Sequence, residues 1–141
     1  MISIFNWFRN HRKLAALCAY IWAAIIFAAC LIPGRDVPSL SIFQYDKLLH
    51  FAIFALLAFL ILLQMKRRRP RLLKEGLYTL LAGIAYGYFV EIMQGSGITE
   101  GRAFDHYDAM ADGIGALLGV LIFFICQHCQ DKKFGSPASR V

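Results

Sequence analysis

The chain has 141 residues, room for one domain, yet 59% of them are hydrophobic and the mean hydropathy is +0.56, more apolar surface than a water-soluble domain of this size can bury. Its net charge of +6 is gathered in short stretches that flank apolar runs, which is the pattern of topological anchors and not of a nucleic-acid patch. A soluble enzyme is therefore excluded, and the expected fold class is an all-α polytopic membrane protein with no nucleic-acid partner.

Residues 1–13 form a basic N-terminal stretch in which Ile4, Phe5, Trp7 and Phe8 precede Arg9, Arg12 and Lys13, a composition suited to the cytoplasmic membrane interface. The first apolar run, 14–32, ends at Pro33-Gly34. A cleaved secretory signal with Phe27-Ala28-Ala29-Cys30 as a degenerate lipoprotein box is the alternative, but the run is long for a signal core and reads more simply as a spanning helix. Three further runs follow at 48–65, 76–93 and 109–126, each near the roughly twenty residues that cross a bilayer core as a helix. Pro33, Pro38 and Pro70 punctuate the connections, and 127–141 is a polar tail. The predicted organisation is thus a four-helix transmembrane domain over 14–126 between two cytoplasmic ends.

Orientation follows from charge. Three Lys and Arg residues precede the first run, six (Lys66, Arg67, Arg68, Arg69, Arg71 and Lys74) lie between the second and third, and Lys132, Lys133 and Arg140 occupy the tail. The other two loops hold only Arg35, Lys47 and Arg102, a split of twelve against three that places both termini and the middle loop in the cytoplasm. Cys18, Cys30 and Cys126 fall inside apolar runs, so no extracytoplasmic disulfide is expected, and the C-x-x-C of Cys126 to Cys129 has too few partners for a closed zinc site.

Seven of the nine acids (Asp36, Asp46, Glu91, Glu100, Asp105, Asp108 and Asp112) gather at the opposite side. His50, Glu91 and Asp112 each lie about one helical turn inside a span, where an ionisable group facing lipid costs several kcal/mol and so turns inward. The spacings Asp46/His50, Glu91/Gln94 and Asp108/Asp112 put each pair on one helix face, so three helices present paired polar groups to one point. Capping competes with function at Asp46 and Asp108, near helix starts. Gly83, Gly87, Gly115 and Gly119 make two small-xxx-small patterns that predict close helix packing. In the loop Gly95 to Asp108, Arg102 either pairs with Asp105 or Glu91 or grips a phosphate or carboxylate, while His106 is an exposed loop residue.

Asp46-Lys47-Leu48-Leu49-His50, then Glu91-Ile92-Met93-Gln94, then Arg102-Ala103-Phe104-Asp105 with Asp108 entering a glycine-rich last helix, together resemble the VanZ-like family over about residues 46–120. The resemblance implies a multi-pass protein of a bacterial cytoplasmic membrane, associated with low-level resistance to the glycopeptide teicoplanin. Taken with the depth and spacing of the polar residues, the expected ligand-binding residues are Asp46, Lys47, His50, Glu91, Gln94, Arg102, Asp105, Asp108 and Asp112. One position departs from the pattern: where the family usually has Asn, this chain has Asp112, which adds a carboxylate and favours a cation or a proton shared with Asp108.

Three functions fit these residues. A binding or accessory protein of the cell envelope needs only a polar pocket for a lipid-linked precursor or a glycopeptide. A membrane-embedded hydrolase or transferase would use His50, Glu91, Asp108 and Asp112 as catalytic groups or as ligands of a divalent cation, the candidate cofactor. A proton- or ion-coupled transporter suits intramembrane His and acids, but the cytoplasmic halves of the helices are nearly devoid of ionisable groups. The missing nucleophile motif favours binding over chemistry.

Overall fold

The computed structural model describes residues 2–33, 46–65, 69–99 and 101–134, and among them every regular element is helical. In chain order these are α1 (Ile2–Asn10), α2 (Arg12–Cys30), α3 (Asp46–Leu63), α4 (Arg69–Gly95) and α5 (His106–Phe134). Three of them, α2, α4 and α5, are long and apolar enough to cross a membrane, and α3 is a shorter apolar helix over Lys47–Leu63. At ~1.5 Å per residue the 18 residues of α3 reach ~27 Å, close to the hydrocarbon thickness, so all four apolar runs of the sequence become helices.

The helix bounds differ from the apolar runs: α2 and α3 each start and end two residues earlier, whereas α4 and α5 extend beyond their runs at both ends. α4 begins at Arg69 and α5 continues to Phe134, because the polar residues flanking the runs extend the helices beyond the apolar segment. Pro70, expected in the loop, is in the first turn of α4, where its missing N–H has no intrahelical partner to lose. Lys66, Arg67, Arg68, Arg35, Asp36, Pro38, Glu100 and the chain beyond 134 lie outside the described residues.

α3 is the hub. It packs most extensively on α5 and also meets α1, α2 and α4, while α2 touches α4 only slightly. Glycines permit the closest crossing: a Cβ at Gly115 would run into the Phe51 carbonyl of α3, and one at Gly119 into the Ala55 carbonyl. Between α4 and α5 the same device operates at Gly83, where a Cβ would stand 2.8 Å from that of Ala116. Lipid is as apolar as leucine, so burying apolar side chains drives little of this association, and short backbone approaches carry it. The exterior agrees, with Leu17, Tyr20, Ile21, Leu77, Leu81 and Ile125 all exposed.

The N-terminal segment, expected to lie at the interface, is a helix that also closes one end of the bundle. Phe5 is buried with its ring 6.1 Å from Phe59 and 5.6 Å from Phe123, and the Arg9 guanidinium stands over both Phe5 and Phe123. Above this layer the core is apolar through Ala58, Leu62, Ala116 and Val120, then through Phe54, Leu57 and Val90. Two inward hydrogen bonds fix helix rotation: Trp22 Nε1 donates to the Ile53 carbonyl at 3.0 Å, and the Tyr86 hydroxyl donates to the Ala23 carbonyl at 2.7 Å.

Candidate functional site

The polar site occupies the other end of the bundle, where α3 and α5 begin and α4 ends. His50 on the first turns of α3, Glu91 on the last of α4 and Asp112 on the second of α5 face one another, with 3%, 0% and 0% of their surfaces exposed. His50 Nδ1 lies 3.0 Å from Asp112 Oδ1 and 3.9 Å from Glu91 Oε1. One ligand atom from each of the three lies within 4.8 Å of the other two. Gly87, one turn before Glu91, makes the space: a Cβ there would meet Asp112 Oδ2 at 2.7 Å. Two carboxylates and an imidazole so enclosed need protons or a cation, since unpaired charge in this environment costs several kcal/mol.

A second layer lies toward the helix ends. Lys47 Nζ donates to Asp105 Oδ2 at 2.9 Å and to Asp108 Oδ1 at 3.0 Å. Asp105 is the junction of the site. Its Oδ1 accepts the Tyr107 N–H at 2.7 Å and its carbonyl accepts the Ala109 N–H, which caps α5, while its own N–H donates to Glu91 Oε2 at 3.1 Å. The Lys47 ammonium, joined by the Tyr107 N–H, holds the Asp105 carboxyl below the usual carboxylate range. Capping of α5, weighed in the sequence at Asp108, falls to Asp105, and Asp108 instead pairs with Lys47 while Asp112 faces His50. The side chain of Asp46 lies outside the described residues.

The structure divides the remaining candidates. Gln94 is buried and its Nε2 donates to the Cys30 carbonyl at 3.0 Å, satisfying the last turn of α2. Arg102 forms no ion pair with Asp105 or Glu91, and its buried Nε has no hydrogen-bond partner among the described residues. His106 is exposed, opening α5 with its ring against Phe104. Thr99 was not anticipated: it is 2% exposed, and its hydroxyl has no partner among the described residues. Nothing in the sequence distinguishes it from an ordinary loop threonine. At the opposite end, Cys126 is half-buried and Cys129 exposed on α5, with Gln127 between them bonded to Asp131 at 3.0 Å.

The fold and site define a polytopic helical membrane protein with a buried ionisable centre near one end of its helix bundle. The chain belongs to the VanZ-like family, whose VanZ/LLP1 profile matches residues 2–127. No curated protein and no solved structure is significantly similar.

Proposed function

We propose that this protein is a binding or accessory protein of the bacterial envelope. With both termini cytoplasmic, its polar end meets the outer face of the cytoplasmic membrane and engages an anionic headgroup, carried by a lipid-linked envelope precursor or by a glycopeptide such as teicoplanin. The observation that carries this reading is Arg102: a guanidinium whose buried Nε has no hydrogen-bond partner among the described residues, on the loop that Asp105 ties to Glu91 and Lys47. A guanidinium with donors to spare suits bidentate recognition of phosphate or carboxylate. Lys47 by contrast is already engaged by Asp105 and Asp108.

A second reading is favoured by the His50, Glu91 and Asp112 centre, in which the same end acts on its ligand as a hydrolase or transferase. Transport is disfavoured, since the apolar layer of Phe54, Leu57, Val90, Ala116 and Val120 separates the polar end from the basic end. The test is binding of a short-chain polyprenyl phosphate, and separately of teicoplanin, to the full chain in detergent micelles, with Arg102→Gln alongside. Saturable binding of either probe, weakened at least 10-fold in the folded variant, supports the reading. Absence of binding for both probes, or equal binding by Arg102→Gln, sinks it. Turnover of the phosphate probe would move the assignment to the second reading.

A further inference from the structure

We infer that His50, Glu91 and Asp112 bind a divalent first-row transition-metal ion in a three-ligand site open to one further ligand, an inference that deepens the reading above and rests on it only for the identity of that further ligand. The ligand set is one imidazole nitrogen and two carboxylate oxygens, the donors that borderline ions such as Zn²⁺ and Mn²⁺ accept. Each comes from a different helix, so closure of the bundle assembles the site. At metal–ligand distances of about 2.1 Å, donor atoms around one ion stand roughly 3.0–4.2 Å apart. His50 Nδ1 is 3.0 Å from Asp112 Oδ1 and 3.9 Å from Glu91 Oε1, and one donor atom from each of the three residues lies within 4.8 Å of the others, so inward shifts of under an ångström complete a donor set.

Glu91 supplies the independent observation. Its side chain is fully buried, Oε2 is held by the Asp105 N–H, and Oε1 accepts no hydrogen bond among the described residues while pointing at His50. A buried carboxylate oxygen oriented by a backbone donor on its other oxygen is the arrangement of a metal ligand fixed by its outer neighbours. Two carboxylates and a neutral imidazole also balance a dication, which removes the charge that burial otherwise penalises. Asp108, a candidate ligand by sequence, is instead held by Lys47.

The inference is tested on the purified full chain in detergent, stripped with chelator and titrated separately with Zn²⁺, Mn²⁺ and Mg²⁺. Bound metal is counted by elemental analysis, and Co²⁺ absorption reports donor geometry. The expected result is one equivalent of Zn²⁺ or Mn²⁺ per chain, with affinity falling at least 100-fold in Glu91→Gln, Asp112→Asn and His50→Ala, each helical by circular dichroism. Asp108→Asn, outside the ligand set, should bind within about threefold of wild type. No saturable binding in the wild type, or equal loss in Asp108→Asn, overturns the inference. The polyprenyl phosphate assay repeated in chelator separates the two claims. Probe binding that persists without any metal uptake leaves the binding reading standing and the metal site refuted. Metal uptake with no probe binding does the reverse.

Discussion

Gly115→Ala is the sharpest test of how the site is assembled. In an open helical position this change is favourable, since alanine exceeds glycine in helix propensity by about 1 kcal/mol. At Gly115 the new methyl would run into the Phe51 carbonyl, a backbone oxygen that cannot rotate away. Restoring an ordinary C···O separation of ~3.3 Å requires α3 and α5 to part by about 1 Å. Overpacking of that kind costs about 1–3 kcal/mol, which offsets the propensity gain of about 1 kcal/mol and predicts a net loss of up to about 2 kcal/mol. The same displacement reaches the polar centre, since His50 adjoins Phe51 and Asp112 lies three residues before Gly115. A separation of about 1 Å stretches the 3.0 Å bond between His50 and Asp112 beyond hydrogen-bonding range. Gly113→Ala is the control: its Cβ would stand 3.3 Å from Ile84 Cγ1, part of a side chain that can adjust, so stability should be unchanged or slightly raised. Equilibrium unfolding in mixed micelles, followed by circular dichroism, measures both. If Gly115→Ala is as stable as Gly113→Ala, the glycine-mediated crossing of α3 and α5 is wrong.

Two further outcomes follow from named contacts. Because the folded pKa of Asp105 lies below its ordinary value of 3.8, its contribution to stability is complete above that value and disappears as pH falls through the lowered one. Asp105→Asn should therefore flatten the acid limb of the stability profile below pH 3.8, and unfolding curves for the two proteins that stay parallel as pH falls below 3.8 would contradict the pairing with Lys47. Phe5→Ala should destabilise the bundle by roughly 1–3 kcal/mol, below the ~3–5 kcal/mol of a soluble core, because little apolar surface is transferred from water. An unfolding midpoint equal to wild type would mean that α1 does not pack between Phe59 and Phe123.

Hydropathy made the four apolar helices legible, since about twenty apolar residues have few alternatives to spanning a bilayer. It placed their ends poorly, because the first turns of α4 and the last of α5 are polar and remain helical past the apolar segment. Inward rotation of ionisable groups pointed to the convergence of His50, Glu91 and Asp112, which the helix crossings bring about. What local spacing could not supply is pairing between helices. Asp108 and Asp112 share one face of α5, yet one pairs with Lys47 and the other with His50, a choice set by how α3 crosses α5. Trp22 and Tyr86 likewise bond carbonyls of neighbouring helices, and neither contact leaves a local signal.

Asp105 shows why the polar end cannot be sorted into structural and chemical residues by type. One residue caps α5, neutralises Lys47 and orients Glu91 through its backbone N–H. The segment that delivers Arg102 is therefore clamped, three residues on, to the side chain that completes the buried centre. Loss of the carboxylate in Asp105→Asn leaves the backbone bond to Glu91 available but frees Lys47 to compete for Asp108 alone. The centre and the loop are coupled through a main-chain hydrogen bond and not through charge, so salt should weaken the Lys47 pairs at the exposed layer while leaving the arrangement of His50, Glu91 and Asp112 in place.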